Sequence, residues 1–486
     1  MQKLYSDSRL LDASSRASYG LTEEIMMENA ACALEQYINS YSKTSVPVKN
    51  VVILCGGGNN GADGYALSRR LRFNYVVTVI QCAEPSSQLC RIQADRAEKC
   101  GVMISDINHN NFQTLNEAHI IIDCIFGSGF HGELAENIQT LINDINTMDC
   151  YKIACDVPSG IDSNGCGGET AFSADLTVTM GSLKLCLYSD HAKDFCGRIV
   201  CANLGVSRRL YENSSSKVTP AAFLLEESDM NLPYRTKKCV NKGTFGHAVF
   251  AAGEKPGAAV IAASAALRFG AGLVSVITDD KIKVPPELLI SNSIPQKYSS
   301  ICFGMGLGIK TPRSASWFDL ALSNPEIPCV ADADVFYDER ILELLETCAK
   351  NTVLTPHPKE FASLLKLCGL GDYQVRETAC GRPSLMEDFC RKYPGCVLLV
   401  KGANEMTGTF DGKEFKLFVN PYGMPCLAKA GSGDVLSGMT AALLAQKYSP
   451  LEAALTASLA HSFASRKIEC DYSMTPDDLI KAAGSL

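Results

Sequence analysis

Short apolar runs rich in valine and isoleucine recur along the chain. Several end in glycine, proline or aspartate, and a more mixed stretch follows each. In the first half the runs are Val51–Cys55, Val76–Cys82, His119–Phe126, Lys152–Val157 and Leu176–Met180. Most are near-continuously apolar, the mark of strands buried on both faces. A helical pattern, Tyr65–Leu71, falls between the first two. Alternating strand and helix predict a doubly wound, parallel α/β sheet, and ligands bind such sheets beyond the carboxyl ends of the strands.

A more polar, less periodic stretch, Ser207–Val240, interrupts the pattern. A domain boundary is expected there, near residue 220. The alternation then restarts. Ala248–Ala252 and Leu273–Thr278 read as strands around a small-residue helix, Gly257–Phe269. Ser300–Phe303, Cys329–Asp332, Thr352–Leu354 and Val397–Val400 are further strand candidates.

Composition narrows the class. Hydrophobic residues make up 46% and charged residues 20% of 486, the balance of a folded chain. Two domains of this length can each bury a core. The net charge is -8, and no Lys or Arg stripe stands out, which argues against nucleic acid as a partner. The 22 cysteines include no C-x-x-C pair and often sit inside apolar runs. They read as reduced, buried small hydrophobes in a reducing compartment, the cytoplasm. No uncharged apolar stretch of about 18 residues predicts a membrane span. The best candidate, Ala248–Ile277, is broken by Glu254, Lys255, Pro256 and Arg268. The first residues lack the apolar core of a signal peptide. Oligomeric state stays open, a homo-oligomer included.

Three first-half strands end in polar, glycine-bearing sequence: CGGGNNGADG, DCIFGSGF and DVPSGID. The first follows a strand and opens a helix. Its Gly56, Gly57, Gly58, Gly61 and Gly64 are expected to allow positive φ and a close ligand, with helix-terminal amides favouring an anion. A ligand-free tight turn would read the same. Asp123 and Asp156 end strands and so would face the ligand crevice, although a strand-end Asp is as often a helix cap. Asn60, Asp123 and Ser159 offer hard oxygen donors suited to a cation.

In the second half, KAGSGDVLSGM sets Gly431, Ser432 and Gly433 at a helix start, an anion hole for phosphate, with Asp434 beside it. A base next to such a hole is what is needed to deprotonate a hydroxyl attacking a phosphoryl group. A capped helix is the plainer reading.

MMENAA (Met26–Ala31), GGGNNGADG, DCIFGSG, DVPSGID and the segment reaching Lys184 resemble, in order, the NAD(P)H-hydrate epimerases. NKGTFGHAVFAAG, GMGLG, DADVF, TPHPKEFASLL, VKGANE and the G-S-G-D turn resemble the ADP-dependent NAD(P)H-hydrate dehydratases. Ala62, Ser128, His131, Met305 and Lys429 depart from the residues usual there. The resemblance implies an α/β fold class: a Rossmann-like three-layer αβα domain over 1–220, then a ribokinase-like αβα domain over 221–486. It implies that Asp156 is the catalytic acid/base of the first domain and that Asn60, Asp123 and Ser159 bind potassium. The loops Asn60, Gly61, Ala62, Asp63, Gly64 and Gly127, Ser128, Gly129, Phe130, His131, Gly132 would contact the substrate. In the second domain, Ala258, Gly308, His357 and the catalytic Asp434 would contact hydrated NAD(P)H. Lys401, Gly402, Ala403, Asn404 and Glu405 would hold ADP with Gly431, Ser432 and Gly433, and magnesium would accompany the phosphates. The implied activity is repair: epimerisation of hydrated NADH or NADPH, then ADP-driven dehydration of the S form. The alternative is a ribokinase-like kinase for a hydroxymethylpyrimidine or sugar, fused to a nucleotide-binding domain. The TPHP segment and the Asn241–Gly253 start favour the dehydratase.

Overall fold

The computed structural model describes residues 1–44, 49–107, 111–215, 217–468 and 471–486. Within Ser207–Val240, Ser216 therefore lies outside the described residues. The chain divides into two compact units. One holds Lys3–Ala221; the other holds Met1–Gln2 and Ala222–Leu486.

The first unit contains β1 (Gln2–Tyr5), β2 (Asn50–Cys55), β3 (Val76–Gln81), β4 (Met103–Asp106), β5 (Ile120–Cys124), β6 (Tyr151–Cys155), β7 (Leu176–Met180), β8 (Leu183–Lys184) and β9 (Arg198–Ala202). Seven of them form a sheet in the order β4-β3-β2-β5-β6-β7-β9. Every pairing in it is parallel. Val51–Cys55 and Ile120–Cys124 are buried throughout, as continuous apolarity predicts. The order reverses between β2 and β5, so the crevice of an open α/β sheet falls beyond their carboxyl ends.

Their register explains the glycine turn. Cys55 pairs with Cys124, so the next residue, Gly56, lies against Ile125. A Cβ on Gly56 would sit 2.0 Å from the Ile125 carbonyl oxygen, and one on Gly61 would sit 1.8 Å from the Gly56 oxygen. None of Gly56, Gly57, Gly58, Gly61 and Gly64 has positive φ. The expectation of left-handed backbone there is therefore wrong: the turn demands glycine at Gly56 and Gly61 because backbone packs on backbone. The helix also starts earlier than Tyr65, at Asn59, and runs to Leu71. Asn60–Gly64 are its first turns and not a loop.

The second unit contains β10 (Ala222–Leu224), β11 (His247–Ala251), β12 (Leu273–Ile277), β13 (Leu289–Ser291), β14 (Ser300–Phe303), β15 (Cys329–Ala331), β16 (Thr352–Leu354), β17 (Val397–Val400), β18 (Glu405–Phe410) and β19 (Phe415–Asn420). The order is β13-β12-β11-β14-β15-β16-β17-β18-β19-β10. It is parallel except where β18 pairs antiparallel with β17 and β19. Helix Pro256–Arg268 packs against helix Ser432–Ala445 so closely that a Cβ on Gly438 would meet the Ala262 oxygen at 2.0 Å.

Among the described residues, nineteen cysteines carry free thiols, most of them buried. No described helix is long and apolar enough to cross a membrane.

Candidate active sites

Asp156 follows β6 with φ 71°, a conformation rare outside glycine. Such strain persists only where the surroundings hold it, and it clusters at functional sites. Here the holding groups are explicit. Asp156 Oδ1 accepts from Lys184 Nζ at 2.6 Å and from the Met180 amide at 3.2 Å. Its Oδ2 accepts from the Ser128 amide at 3.0 Å. Burial works to raise the carboxyl's pKa, but Lys184 and these amides outweigh it and hold it below the ordinary aspartate value. Lys184 is 1% exposed.

Asp156 faces a cavity of about 710 Å³. Asn60, Asp63 and Gly127–Phe130 line it with Asp12 and Lys184. His131 and Gly132 do not line it, and both are exposed. Gly61, Ala62 and Gly64 are buried in the helix behind it. A Cβ on Gly127 would stand 3.0 Å from Asp156 Oδ2 and 3.4 Å from Asn60 Oδ1, which fixes these three residues as neighbours. Asp63 is pushed well above its usual range by burial and by the Asp156 and Asp12 carboxylates.

Asp123 and Ser159 meet each other but do not line this cavity. Ser159 donates from its amide and its hydroxyl to Asp123, each at 2.7 Å. Asp123 is fully buried, and burial pushes its pKa up to about 6 despite these bonds. The groups that lower it are all hydrogen-bond donors of Ser159 and Ile125, and none is a cation.

The second site gathers at the carboxyl ends of β15, β16 and β17. Lys401 follows β17 and reaches Asp332 Oδ1 at 2.9 Å and Glu360 Oε2 at 3.9 Å. Asp332 is held on its other oxygen by Ser437 Oγ at 2.7 Å. Burial lowers the Lys401 pKa, but Asp332 and Glu360 outweigh it, so the ammonium stays charged. Gly431 starts helix Ser432–Ala445 with φ 91°. A Cβ on Gly433 would lie 3.2 Å from Lys401 Nζ, so this cation stands at the helix's first turn. Asp434 occupies the same turn. Burial raises its pKa to about 7, Asp332 and Glu360 add to the rise, and Lys401 opposes it.

His357 caps helix Pro358–Leu367. Its Nδ1 accepts from the Lys359 and Glu360 amides, and its Nε2 lies 3.0 Å from Glu360 Oε1. It thereby joins the Lys401 cluster through Glu360. The Gly308 amide donates to Asp334 at 2.8 Å. Ala258 lies in the first turn of helix Pro256–Arg268, whose Ile261 approaches Gly431. Asn404, in the loop after β17, and Glu405, the first residue of β18, are buried.

Residues 23–186 match the family described as YjeF-related protein N-terminus, and residues 249–484 match NAD(P)H-hydrate dehydratase. The chain is 42% identical to the bifunctional NAD(P)H-hydrate repair enzyme Nnr of Helicobacter pylori over 99% of each chain. The chain belongs to the bifunctional NAD(P)H-hydrate repair enzyme family. A second member, from Coxiella burnetii, is 30% identical over 96% of this chain and 94% of its own. A Bacillus subtilis ADP/ATP-dependent NAD(P)H-hydrate dehydratase, crystallised with ATP and Mg2+, is 24% identical; the match covers 52% of this chain and 92% of that one, with a TM-score of 0.43.

The repair-family motifs do not account for every polar group in these sites. Asp12, which accepts from Tyr211 at 2.5 Å, was not singled out from the sequence, nor were Glu360, Ser437 and His461. Asp332 carried the same strand-end signal as Asp123 and Asp156. Glu360 is legible as the third residue of a capping box begun by His357. His461 sits within a helix buried along most of its length, and gave no signal.

Proposed function

We propose that the first unit interconverts the R and S hydrates of NADH and NADPH, and that the second dehydrates the S form with ADP. The observation that carries the reading is Asp434. Its carboxyl makes no hydrogen bond among the described residues, titrates near neutrality, and stands at a helix N-terminus beside the half-buried Lys401. A base needs that pKa, and an attacked phosphoryl group needs that positive end.

In the dehydratase unit, Asp434 takes the proton of the C6 hydroxyl as its oxygen attacks the β-phosphorus of ADP. The bond to the AMP oxygen breaks, and the Gly431 and Gly433 amides and Lys401 meet the growing charge, while the Ser432 amide bonds the Lys429 carbonyl. The C6 phosphate ester then leaves as phosphate, and a proton leaves C5, restoring the ring double bond. Among the described residues no cluster of three or more His, Cys, Asp or Glu side chains could hold a metal. Magnesium would therefore ride on the nucleotide phosphates, where it commonly needs only one or two carboxylates.

In the epimerase unit, Asp156 moves the proton that lets C6 lose and regain its configuration, and Lys184 keeps it ionised between turnovers. Asn60, Asp123 and Ser159 would hold potassium. Asp123 fits this role as a buried carboxylate with no cationic group among those acting on it. The ion would supply that countercharge and stiffen the strand ends.

The test mixes purified protein with both hydrate epimers and ADP and follows the return of reduced-ring absorbance. Full conversion is expected. Asp156→Asn should stop after the S form, and Asp434→Asn should leave the epimers interconverting with no ring repaired. Phosphorylation of a pyrimidine alcohol or sugar, without ring repair, would replace this reading with the kinase.

A further inference from the structure

One buried polar side chain has no part in this chemistry. His461, on helix Pro450–Arg466, is 2% exposed. Its Nε2 lies 3.0 Å from the Ser432 carbonyl oxygen and 3.2 Å from Ser432 Oγ. Its Nδ1 has no hydrogen-bond partner among the described residues. Glu405 Oε1 stands 4.0 Å from that nitrogen, and Glu405 Oε2 accepts from Ser458 Oγ at 2.5 Å. The imidazole therefore sits between the first turn of helix Ser432–Ala445 and the start of β18.

Burial, helped by the charge of Lys401, lowers the imidazole pKa to about 4, although the bond to Ser432 opposes this. The ring is neutral at working pH and carries a single N–H. A ring nitrogen 3.0 Å from a carbonyl oxygen must bear the hydrogen, since two lone pairs would repel. The proton is on Nε2 and is donated to Ser432. The Ser432 hydroxyl then keeps its own hydrogen for another acceptor.

We infer that His461 is a positioning residue for the phosphate cradle. The Ser432–Gly433 peptide is planar, so fixing its carbonyl from one side fixes the direction of the Gly433 N–H on the other. The turn needs such a clamp. Gly431 is left-handed, Gly433 has no side chain, and the first amides of a helix have no partners within it. Donors that stabilise developing charge work because they do not reorganise during the reaction. The inference rests on reading Gly431–Gly433 as the cradle.

The loss of one neutral hydrogen bond corresponds to about 5- to 10-fold in rate. His461→Phe should lower dehydratase kcat by about that factor and change the KM for ADP less. In His461→Gln the side-chain amide can donate from near the Nε2 position, and it should recover most of kcat. Epimerisation, carried by the other unit, should match the parent in both variants. In parent protein labelled at histidine, the His461 nitrogen resonances, identified by their loss in the Gln variant, should report a neutral ring protonated on Nε2 between pH 6 and 8 and should shift when ADP is added.

Parent-like kcat in His461→Phe, equal damage from Phe and Gln, or a ring protonated on Nδ1 would each overturn the inference. The resonance measurement stands even if the Phe variant does not fold. An Asp434→Asn protein that still dehydrates would overturn the cradle itself. An inactive Asp434→Asn beside a fully active His461→Phe would overturn only the role of His461.

Discussion

Lys184 and Asp156 form a buried ion pair, Nζ to Oδ1 2.6 Å, and the lysine is the more deeply buried of the two. The pair holds the proposed epimerase base in its charged form. Asp156 titrates lower than an exposed aspartate, so its contribution to stability is present above about pH 4 and fades as pH falls through the lowered value. Burial lowers the Lys184 pKa, but Asp156 raises it further, so its contribution is present below about pH 10 and fades as pH rises through the raised value.

Lys184→Met should therefore cost about 3–5 kcal/mol, because it strands a buried carboxylate. That carboxyl should then titrate above its ordinary value, and the acid limb of the epimerisation profile should move to higher pH. Denaturant unfolding and a pH–rate profile check both. An unmoved acid limb would remove Asp156 from the rate-determining protonation.

Gly127 tests the cavity wall without removing either charge. An added Cβ would lie 3.0 Å from Asp156 Oδ2 and 3.4 Å from Asn60 Oδ1. The backbone of Gly127 is not left-handed, so alanine costs no conformational strain. Gly127→Ala should slow epimerisation by about 10- to 100-fold through misplacement of the base. Unfolding and dehydration should change little. A parent-like epimerisation rate would place the reacting centre elsewhere in the cavity.

The parallel strands were legible because burial on both faces leaves a continuous apolar run. β18 and β19 were not, since Glu405–Phe410 and Phe415–Asn420 mix polar and apolar residues and pair antiparallel at the side of the sheet. β10 and β13 were not read: unlike β15 and β16, which are equally short, neither is buried throughout. The strand-end rule pointed to Asp123 and Asp156, and the glycine turn before a helix pointed to Asp434, as the proposed site residues. Why Gly56 is glycine could not be read, because the clash with Ile125 exists only once β2 and β5 are neighbours. His461 was equally hidden: its partner lies 29 residues away, on another helix.

Ser159 tests the cation. Its hydroxyl donates to Asp123 Oδ1 and accepts from the Phe126 amide at 2.9 Å. Replacing potassium with choline should slow epimerisation of the parent and lower the unfolding temperature of the first unit, as loss of a native-state ligand must. Ser159→Ala should abolish both responses. Unfolding temperatures and epimerisation rates equal in the two salts would show that Asp123 needs no ion.

Asp434 makes opposite demands on activity and stability. Burial, then Asp332 and Glu360, raise its pKa to about 7 against the pull of Lys401. Dehydration needs the ionised carboxylate, so its rate should climb with pH and level off above about 7. The unfolded carboxyl titrates near 3.9, so between about pH 4 and 7 the folded chain binds the extra proton. Stability should accordingly fall as pH rises through that window and stay reduced above it. Asp434→Asn removes both effects at once. It should lose about 10²- to 10⁴-fold in dehydration, the range of a general base. It should also unfold at a higher temperature than the parent at pH 8, with the advantage shrinking toward pH 4. Lys401→Met should shift the parent's activity profile further up in pH, because the cation that favours ionisation is gone. An Asn variant less stable than the parent at pH 8 would mean that the carboxylate is welcome where it stands, and the raised pKa could not be the source of its basicity.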